Sequence, residues 1–332
     1  PRVRAIKECG GDLNRLQELI SLGRPAVLCG EDAWAFTALC AGAGGVIAAA
    51  ATAGWAYGGN GMSVKIERKT CLAADGVTLV YSAAGKDEPA LVFIHGGLAD
   101  RTFWDAQLKA FADRHRTIAL DLPGHGESGL NRKKWGIPEF GADVKAVIDA
   151  EKLKDVVILG NSLGGHVALL YALKHPEGVR AMVLTGSSGL TENTMGTTIP
   201  RRKDYDCVRE KAALTFYDPA VATKELVDSV FAVLNDNIQA LRLLRMAKSA
   251  VRENLGHDLY RLSMPVGLIW GRDDIVTPPE VAEEFHQKLP LSRLSYLDHC
   301  GHAPMMEKPE EFSVLFRRYL RWFDQVREDA YE

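Results

Sequence analysis

Apolar and polar positions follow two different periods along this chain, and their alternation predicts the fold. From about residue 64, short apolar runs alternate with longer stretches in which apolar residues recur at helical spacing. The short runs predict eight strands, at 64–71, 77–82, 90–95, 116–121, 155–160, 180–185, 265–270 and 293–298. The longer stretches predict helices at 103–113, 138–152, 163–175, 279–288 and 308–325. This alternation indicates an α/β fold with a mostly parallel, eight-stranded sheet and helices on both faces.

The alternation is interrupted once, between about residues 188 and 260. The strand signal vanishes there, and amphipathic helical stretches such as 224–234 and 238–250 replace it until Pro265 begins the next strand. An all-helical insertion between two strands of a parallel sheet is most simply a cap over the carboxyl ends of the strands. The predicted organisation is a core at 62–187 and 261–332 and a helical cap at 188–260.

Residues 1–61 do not follow this pattern. They predict a short amphipathic helix at 13–22, one strand at 26–29 and an Ala/Gly-rich stretch that ends in a linker-like Gly-Gly-Asn-Gly at 58–61. Met62 follows and would suit a natural start. We expect residues 1–61 to be an amino-terminal extension without a catalytic role.

Residues 33–64 contain no charge and are long enough to span a membrane. Their Ala/Gly composition lacks the larger apolar residues that favour insertion into a bilayer. No basic segment precedes a short apolar core, so a secretory signal is not predicted either. We therefore expect neither a membrane anchor nor an exported protein.

Composition excludes several classes of function. The 332 residues are 47% hydrophobic, enough for a large core, and the net charge of −3 provides no footprint for nucleic acid or an anionic membrane. The cysteines lack the spacing of a zinc site or a disulfide framework; they are Cys9, Cys29, Cys40, Cys71, Cys207 and Cys300. We expect reduced thiols, a cytoplasmic location, no metal and no cofactor; the oligomeric state stays open.

The candidate chemistry lies at residues 160–165, Gly-Asn-Ser-Leu-Gly-Gly, directly after a predicted strand and before a predicted helix. Gly-x-Ser-x-Gly in this position is typical of a nucleophile elbow, in which a strained backbone presents the serine at the edge of the sheet. The flanking glycines would let strand and helix approach without Cβ clashes. Ser162 is the candidate nucleophile, and the N–H of Leu163 would face the reacting carbonyl; the alternative is an ordinary helix N-cap.

Three further groups follow the carboxyl ends of other predicted strands. Residues 95–98, His-Gly-Gly-Leu, offer the N–H of Gly97 or Leu98 as a second oxyanion donor. An acid, Asp273 or Asp274, and a histidine, His302 or His299, come later in the chain. Acyl chemistry needs such a set, because imidazole takes the serine proton, the carboxylate orients the imidazole, and two N–H groups hold the oxyanion.

With these motifs in this order, residues 64–325 resemble the α/β-hydrolase superfamily, in the group that carries a helical cap. The resemblance implies Ser162 as nucleophile, Asp274 as acid, His302 as base, and Gly97 or Leu98 with Leu163 as the oxyanion hole. Asp274 is preferred to Asp273 because the acid of the family usually stands four residues before a proline, as Asp274 stands before Pro278. His95, His125, Cys300 and the pair Met305-Met306 are expected to be structural.

The resemblance implies a serine hydrolase that cleaves a carboxylic ester, thioester or lactone of a small apolar substrate. One alternative is C–C cleavage as in meta-cleavage product hydrolases, and another is a hydrolase-like ligand receptor with little turnover. Against C–C cleavage, this chain lacks a longer Gly/Pro-rich stretch at 95–100 and has Ala303 where those enzymes usually have tryptophan. The available cations for the substrate carboxylate, Arg201, Arg202 and Lys203, are expected to form a solvated turn.

A second resemblance concerns residues 1–50, whose segments 5–13, 29–32 and 42–47 are similar to the late part of a dihydrodipicolinate synthase type barrel. In that family the lysine matching Lys7 forms a Schiff base with a keto acid. About a fifth of such a barrel is present, and a closed barrel needs about 250 residues. We therefore expect Lys7 to be non-functional.

Overall fold

A computed structural model describes residues 64–191 and 201–329, together with the backbone of three short strands that precede residue 64. The chain divides into two compact units, residues 1–63 and 64–332. In the first, strands β1 (Ala5–Glu8), β2 (Ala26–Cys29) and β3 (Gly45–Val46) form a parallel sheet in that order.

Of these three strands, the sequence pattern predicts only β2. Strand β1 ends in charged residues and β3 is two residues long within an Ala/Gly run, so neither provides an apolar alternation. The predicted helix at 13–22, the linker at 58–61 and Met62 lie outside the described residues.

The second unit contains a sheet of eight strands, as predicted. In chain order they are β4 (Glu67–Leu72), β5 (Thr78–Ala84), β6 (Ala90–Ile94), β7 (Thr117–Asp121), β8 (Val156–Asn161), β9 (Val179–Thr185), β10 (Val266–Gly271) and β11 (Ser292–Leu297). Their order across the sheet is β11-β10-β9-β8-β6-β7-β5-β4. Strand β5 runs antiparallel to both β4 and β7, and the remaining pairs are parallel. The predicted mostly parallel sheet is therefore confirmed.

Helices cover the sheet and fill the interruption that the sequence pattern shows. Those packed with the sheet are α1 (Asp105–Phe111), α2 (Ile137–Ala150) and α3 (Leu163–Lys174) before the interruption. The interruption contains α4 (Tyr205–Ala213), α5 (Lys224–Asn235) and α6 (Asn237–Arg252). After it come α7 (Pro279–Lys288), α8 (Pro304–Glu307) and α9 (Pro309–Asp329). We call the segment from α4 to α6 the insertion; its role as a separate cap stays a prediction.

The central strands are apolar throughout because both of their faces are buried. All residues of β6 are buried; Val92 and Ile94 pack in one hydrophobic cluster, and Leu91 and Phe93 in the cluster on the other face. A parallel strand covered on both faces needs such a continuous apolar run. Strand β8, the neighbour of β6 at the centre of the sheet, is buried throughout as well.

Strand order reverses between β6 and β8, which are neighbours although β7 intervenes in the sequence. The chain leaves β6 toward one edge of the sheet and continues from β8 toward the other. In α/β sheets, a crevice opens at the carboxyl ends of strands at such a switch point. The predicted elbow and the loop after residue 94 both lie there.

Candidate active site

Ser162 occupies the sharp turn between β8 and α3, with φ 53° and ψ −120°. A positive φ is uncommon for a residue other than glycine and marks backbone strain. A Cβ at position 160 would lie 2.5 Å from the carbonyl oxygen of Gly164, and one at position 164 would lie 2.3 Å from that of Ile94. The turn therefore requires both glycines, as the motif predicts.

The backbone of Ser162, rather than its hydroxyl, stabilises this turn. Its N–H donates to the carbonyl of Thr185 at 3.1 Å, and its carbonyl accepts from the N–H groups of Gly165 at 3.0 Å and Ser188 at 3.1 Å. The side chain makes no capping hydrogen bond to α3, although Ser162 precedes this helix. This geometry disfavours the alternative that Ser162 is an ordinary N-cap.

His302 and Asp274 form a buried pair. The two atoms His302 Nδ1 and Asp274 Oδ2 are 2.9 Å apart, and the residues are 6% and 2% exposed. Asp274 Oδ1 accepts the N–H of Val276 at 2.8 Å and of Thr277 at 2.9 Å, while the Thr277 hydroxyl donates to Oδ2 at 2.8 Å. A neutral imidazole that donates from Nδ1 carries its lone pair on Nε2, where it can accept a proton.

The neighbouring acid and histidine lie outside this pair. Asp273 is exposed, and its N–H donates to the carbonyl of Cys300 at 2.9 Å. His299 is exposed too, and its ring lies 5.0 Å from that of Tyr217. The structure thus places Asp274 and His302 together, as the resemblance implies.

Asn161 joins the histidine loop to the nucleophile strand. Its Nδ2 donates to the carbonyl of Thr185 at 3.1 Å and to the carbonyl of His302 at 3.0 Å. A Cβ on Gly186, which follows β9, would lie 2.7 Å from Nδ1 of His302. The elbow motif does not predict this role of Asn161, because the motif leaves that position variable.

The predicted oxyanion loop lies beside the nucleophile. A Cβ on Gly96 would be 3.1 Å from Cβ of Ser162, and Leu98 has φ 60°. His95 holds this loop, since Nδ1 donates to the carbonyl of Gly96 at 2.7 Å and Nε2 accepts the N–H of Leu122 at 3.0 Å. Burial lowers the pKa of His95 to about 4, so the imidazole is neutral at pH 7 and fits its predicted structural role.

Leu163 begins α3, and the first N–H groups of a helix have no partner within it. Its N–H is therefore suited to an oxyanion. The second donor, Gly97 or Leu98, stays a prediction.

Three other residues with reactive or charged side chains are His125, Cys300 and Arg202, and their surroundings do not favour a catalytic role. His125 lies with its ring 4.9 Å from that of His95, and burial lowers its pKa to about 3. Burial raises the pKa of the Cys300 thiol, which keeps it protonated and poorly nucleophilic. Arg202 donates to Asn237 Oδ1 within the insertion at 2.7 Å.

A metal site needs a cluster of ligating side chains, and a membrane-spanning helix needs a long apolar stretch. Among the described residues, no group of three or more His, Cys, Asp or Glu side chains is placed to hold a metal ion. In the same part of the chain, no helix has the length and hydropathy needed to cross a membrane.

The fold and this arrangement define a hydrolase of the α/β class. The sequence profile of the alpha/beta hydrolase family matches residues 91–314, and the chain belongs to this family. It is 30% identical over 252 residues to the pimeloyl-acyl-carrier-protein methyl ester esterase of Nitrosomonas europaea, covering 69% of this chain and 94% of that protein. A 2-hydroxy-6-oxononadienedioate/2-hydroxy-6-oxononatrienedioate hydrolase of Pseudomonas sp. is 27% identical over 253 residues, covering 71% and 89% of the two chains.

A solved structure agrees with these relatives. An α/β hydrolase enzyme from the metagenome of sediments from the lagoon of Mar Chica, Morocco, superposes with a TM-score of 0.61 and 31% identity, covering 78% of this chain and 99% of that one. These three relatives are named as hydrolytic enzymes, and one of them is an esterase. The protein is accordingly an enzyme of the hydrolase class.

Proposed function

We propose that this protein is a serine hydrolase that cleaves a carboxylic ester of a small apolar substrate through an acyl-enzyme. Ser162 is the nucleophile, His302 the general base and Asp274 the acid that orients it. The observation that carries the proposal is the buried 2.9 Å contact between His302 and Asp274, tied through Asn161 to the strand that ends in the strained Ser162.

Each group has a defined role in this mechanism. His302 Nε2 takes the hydroxyl proton as Ser162 attacks the ester carbonyl, and Asp274 stabilises the imidazolium that forms. The N–H groups of Leu163 and of Gly97 or Leu98 hold the oxyanion until the alcohol leaves with the proton from His302. Water then attacks the acyl-enzyme by the same route and releases the carboxylic acid.

Ester cleavage is favoured over C–C cleavage by the positions of the cations. Cleavage of a meta-cleavage dienoate requires a cation that neutralises the substrate carboxylate. Arg201 and Lys203 are exposed, and the guanidinium of Arg202 is bonded to Asn237. A thioester or a lactone needs the same groups as an ester and stays within the proposal.

Turnover of two substrate classes tests this ranking. We expect measurable kcat/KM on short-chain aryl esters and at least about tenfold less on a meta-cleavage dienoate. The variant Arg202→Ala and its control Lys203→Ala should both retain ester turnover. The reverse ranking, with dienoate turnover lost in Arg202→Ala alone, would identify a C–C hydrolase. A burst of product without sustained turnover would instead favour the ligand receptor.

We further propose that residues 62–187 and 261–332 form the catalytic core, that residues 188–260 act as a cap over it, and that the protein is cytoplasmic. The division of the chain before residue 64 supports a non-catalytic role for residues 1–61.

A chain that begins at Met62 should then keep most of the ester activity. Loss of folding or of activity in that chain would show that residues 1–61 complete the enzyme.

A further inference from the structure

The side chain of Glu307, five positions after His302, bonds two distant segments of the chain. Glu307 Oε1 accepts the N–H of Gly301 at 2.9 Å, and Oε2 accepts the N–H of Tyr217 at 2.7 Å. Gly301 directly precedes His302, whereas Tyr217 belongs to the insertion, in the turn after α4. One carboxylate thus holds the histidine loop and the insertion together.

Backbone contacts bring the same two segments close. The N–H of His302 donates to the carbonyl of Thr215 at 2.8 Å. A Cβ on Gly301 would lie 2.7 Å from the carbonyl oxygen of Thr215 and 2.9 Å from the amide nitrogen of Tyr217. The histidine loop therefore packs on the insertion without room for a side chain at position 301.

The surroundings of Glu307 fit a carboxylate that is fixed in place. Glu307 is half-buried, and burial raises the pKa of its carboxyl against the opposing effect of the N–H groups that it accepts. No described Lys or Arg side chain forms an ion pair with it within 4.0 Å. The carboxylate therefore accepts hydrogen bonds from the backbone of the two segments, and its position is set by them.

We propose that Glu307 is a positioning residue that ties the histidine loop to the insertion and so keeps His302 in contact with Asp274. The inference rests on the proposed function, in which His302 is the base. Without the carboxylate, the N–H groups of Gly301 and Tyr217 lose their acceptor, and the loop is free to move away from Asp274. The imidazole then loses the carboxylate that orients it, and the imidazolium that forms during turnover is less stabilised.

The test compares Glu307→Gln with the matched control Glu310→Gln, an exposed residue in the first turn of α9. The glutamine retains one acceptor oxygen, but its NH2 group faces an N–H donor. Active sites are counted with a fluorophosphonate probe, and the hydrogen bond from His302 to Asp274 is followed by the 1H NMR resonance of the His302 Nδ1 proton. For Glu307→Gln we expect kcat per active site to fall at least about tenfold, KM to change less than about threefold, and this resonance to be lost or to move upfield.

An unchanged kcat and an unchanged resonance of the His302 Nδ1 proton in Glu307→Gln would overturn the inference. If this variant does not fold, Glu307→Asp decides on the same two readouts, since it keeps the charge but is one methylene too short to reach both N–H groups. A purely structural role would reduce the folded fraction of either variant without changing the resonance of the His302 Nδ1 proton in the folded molecules.

Failure of the proposed function has a different signature. It would appear in the wild-type protein as the absence of ester turnover and of labelling at Ser162. The NMR resonance of the His302 Nδ1 proton does not depend on turnover. It therefore tests the link between Glu307 and His302 even in that case.

Discussion

Strand β6 and helix α5 show how differently two regions of this molecule are held. All five residues of β6 are buried, whereas α5 has one buried residue, Val227, among its twelve. The strand packs against hydrophobic clusters on both faces, so almost any polar substitution there would be costly. A half-exposed helix accepts many residues. The proposed catalytic residues follow strands of the sheet, the region in which fewer substitutions are tolerated.

Polar contacts attach the insertion to the core. The N–H of Ile137 donates to Oγ of Ser249 at 3.1 Å, and Arg242 donates to the carbonyl of Leu130 at 3.0 Å. Nε2 of His166, in α3, lies 2.8 Å from the carbonyl of Glu253. Apolar packing attaches the insertion as well, since one hydrophobic core cluster includes buried residues of α6.

Among substitutions in the core, we expect the largest loss of activity at Asp274, the proposed acid. In Asp274→Asn, the side chain can turn its NH2 group toward His302 Nδ1 and favour the wrong tautomer. We expect kcat/KM to fall by about 10³- to 10⁴-fold, and Asp273→Asn to change it less than about tenfold. Steady-state kinetics on one aryl ester measure both. Equal losses would remove the basis for choosing Asp274.

A stability measurement tests the difference between the two regions directly. Phe93 in β6 is fully buried, with its ring 5.2 Å from that of Trp104. Phe93→Ala should lower the free energy of unfolding by about 3–5 kcal/mol, because it leaves a cavity in the core. Val227→Ala in α5 should lower it by about 1–2 kcal/mol. Urea unfolding gives both values, and equal losses would show that the insertion is held as firmly as the sheet.

A smaller effect concerns pH. Burial holds the pKa of His95 at about 4 and that of His125 at about 3, below the value of about 6.5 in the unfolded chain. The unfolded state therefore binds more protons as the pH falls below about 6.5, and stability is lost from there toward pH 4.

His125→Gln tests this effect, with exposed His257 of the region after α6 as the control. Between pH 7 and pH 5, the loss of unfolding free energy should be about 2 kcal/mol smaller in His125→Gln than in the wild type. It should be unchanged in His257→Gln. An identical pH dependence in all three proteins would mean that His125 is not held neutral.

Most of the fold follows from the apolar pattern. The continuous apolar run at 156–159 is short, and the glycine after it favours the strand that the structure contains. The pattern could not indicate that β5 runs antiparallel to its neighbours, since strand direction depends on long-range pairing. It also left α4 unassigned within the insertion, because Val208 is its only buried residue.

The candidate site was predictable in its reacting groups but not in its supporting ones. Ser162 and His302 lie next to glycines, in short motifs that are visible in the sequence. The supporting roles of Asn161 and Glu307 depend on contacts between segments far apart in the chain, such as the 3.0 Å bond from Asn161 to the carbonyl of His302. No local pattern encodes such a contact.

The central claim is that Ser162 forms the acyl-enzyme, and labelling measures it most directly. A fluorophosphonate probe followed by peptide mass spectrometry should find the adduct on Ser162. The variant Ser162→Ala should lose both the adduct and sustained ester turnover, with residual rates from the oxyanion hole alone. Ser187→Ala, a buried serine beside the elbow, controls for the loss of a hydroxyl. An adduct on another serine, with turnover retained in Ser162→Ala, would contradict the account.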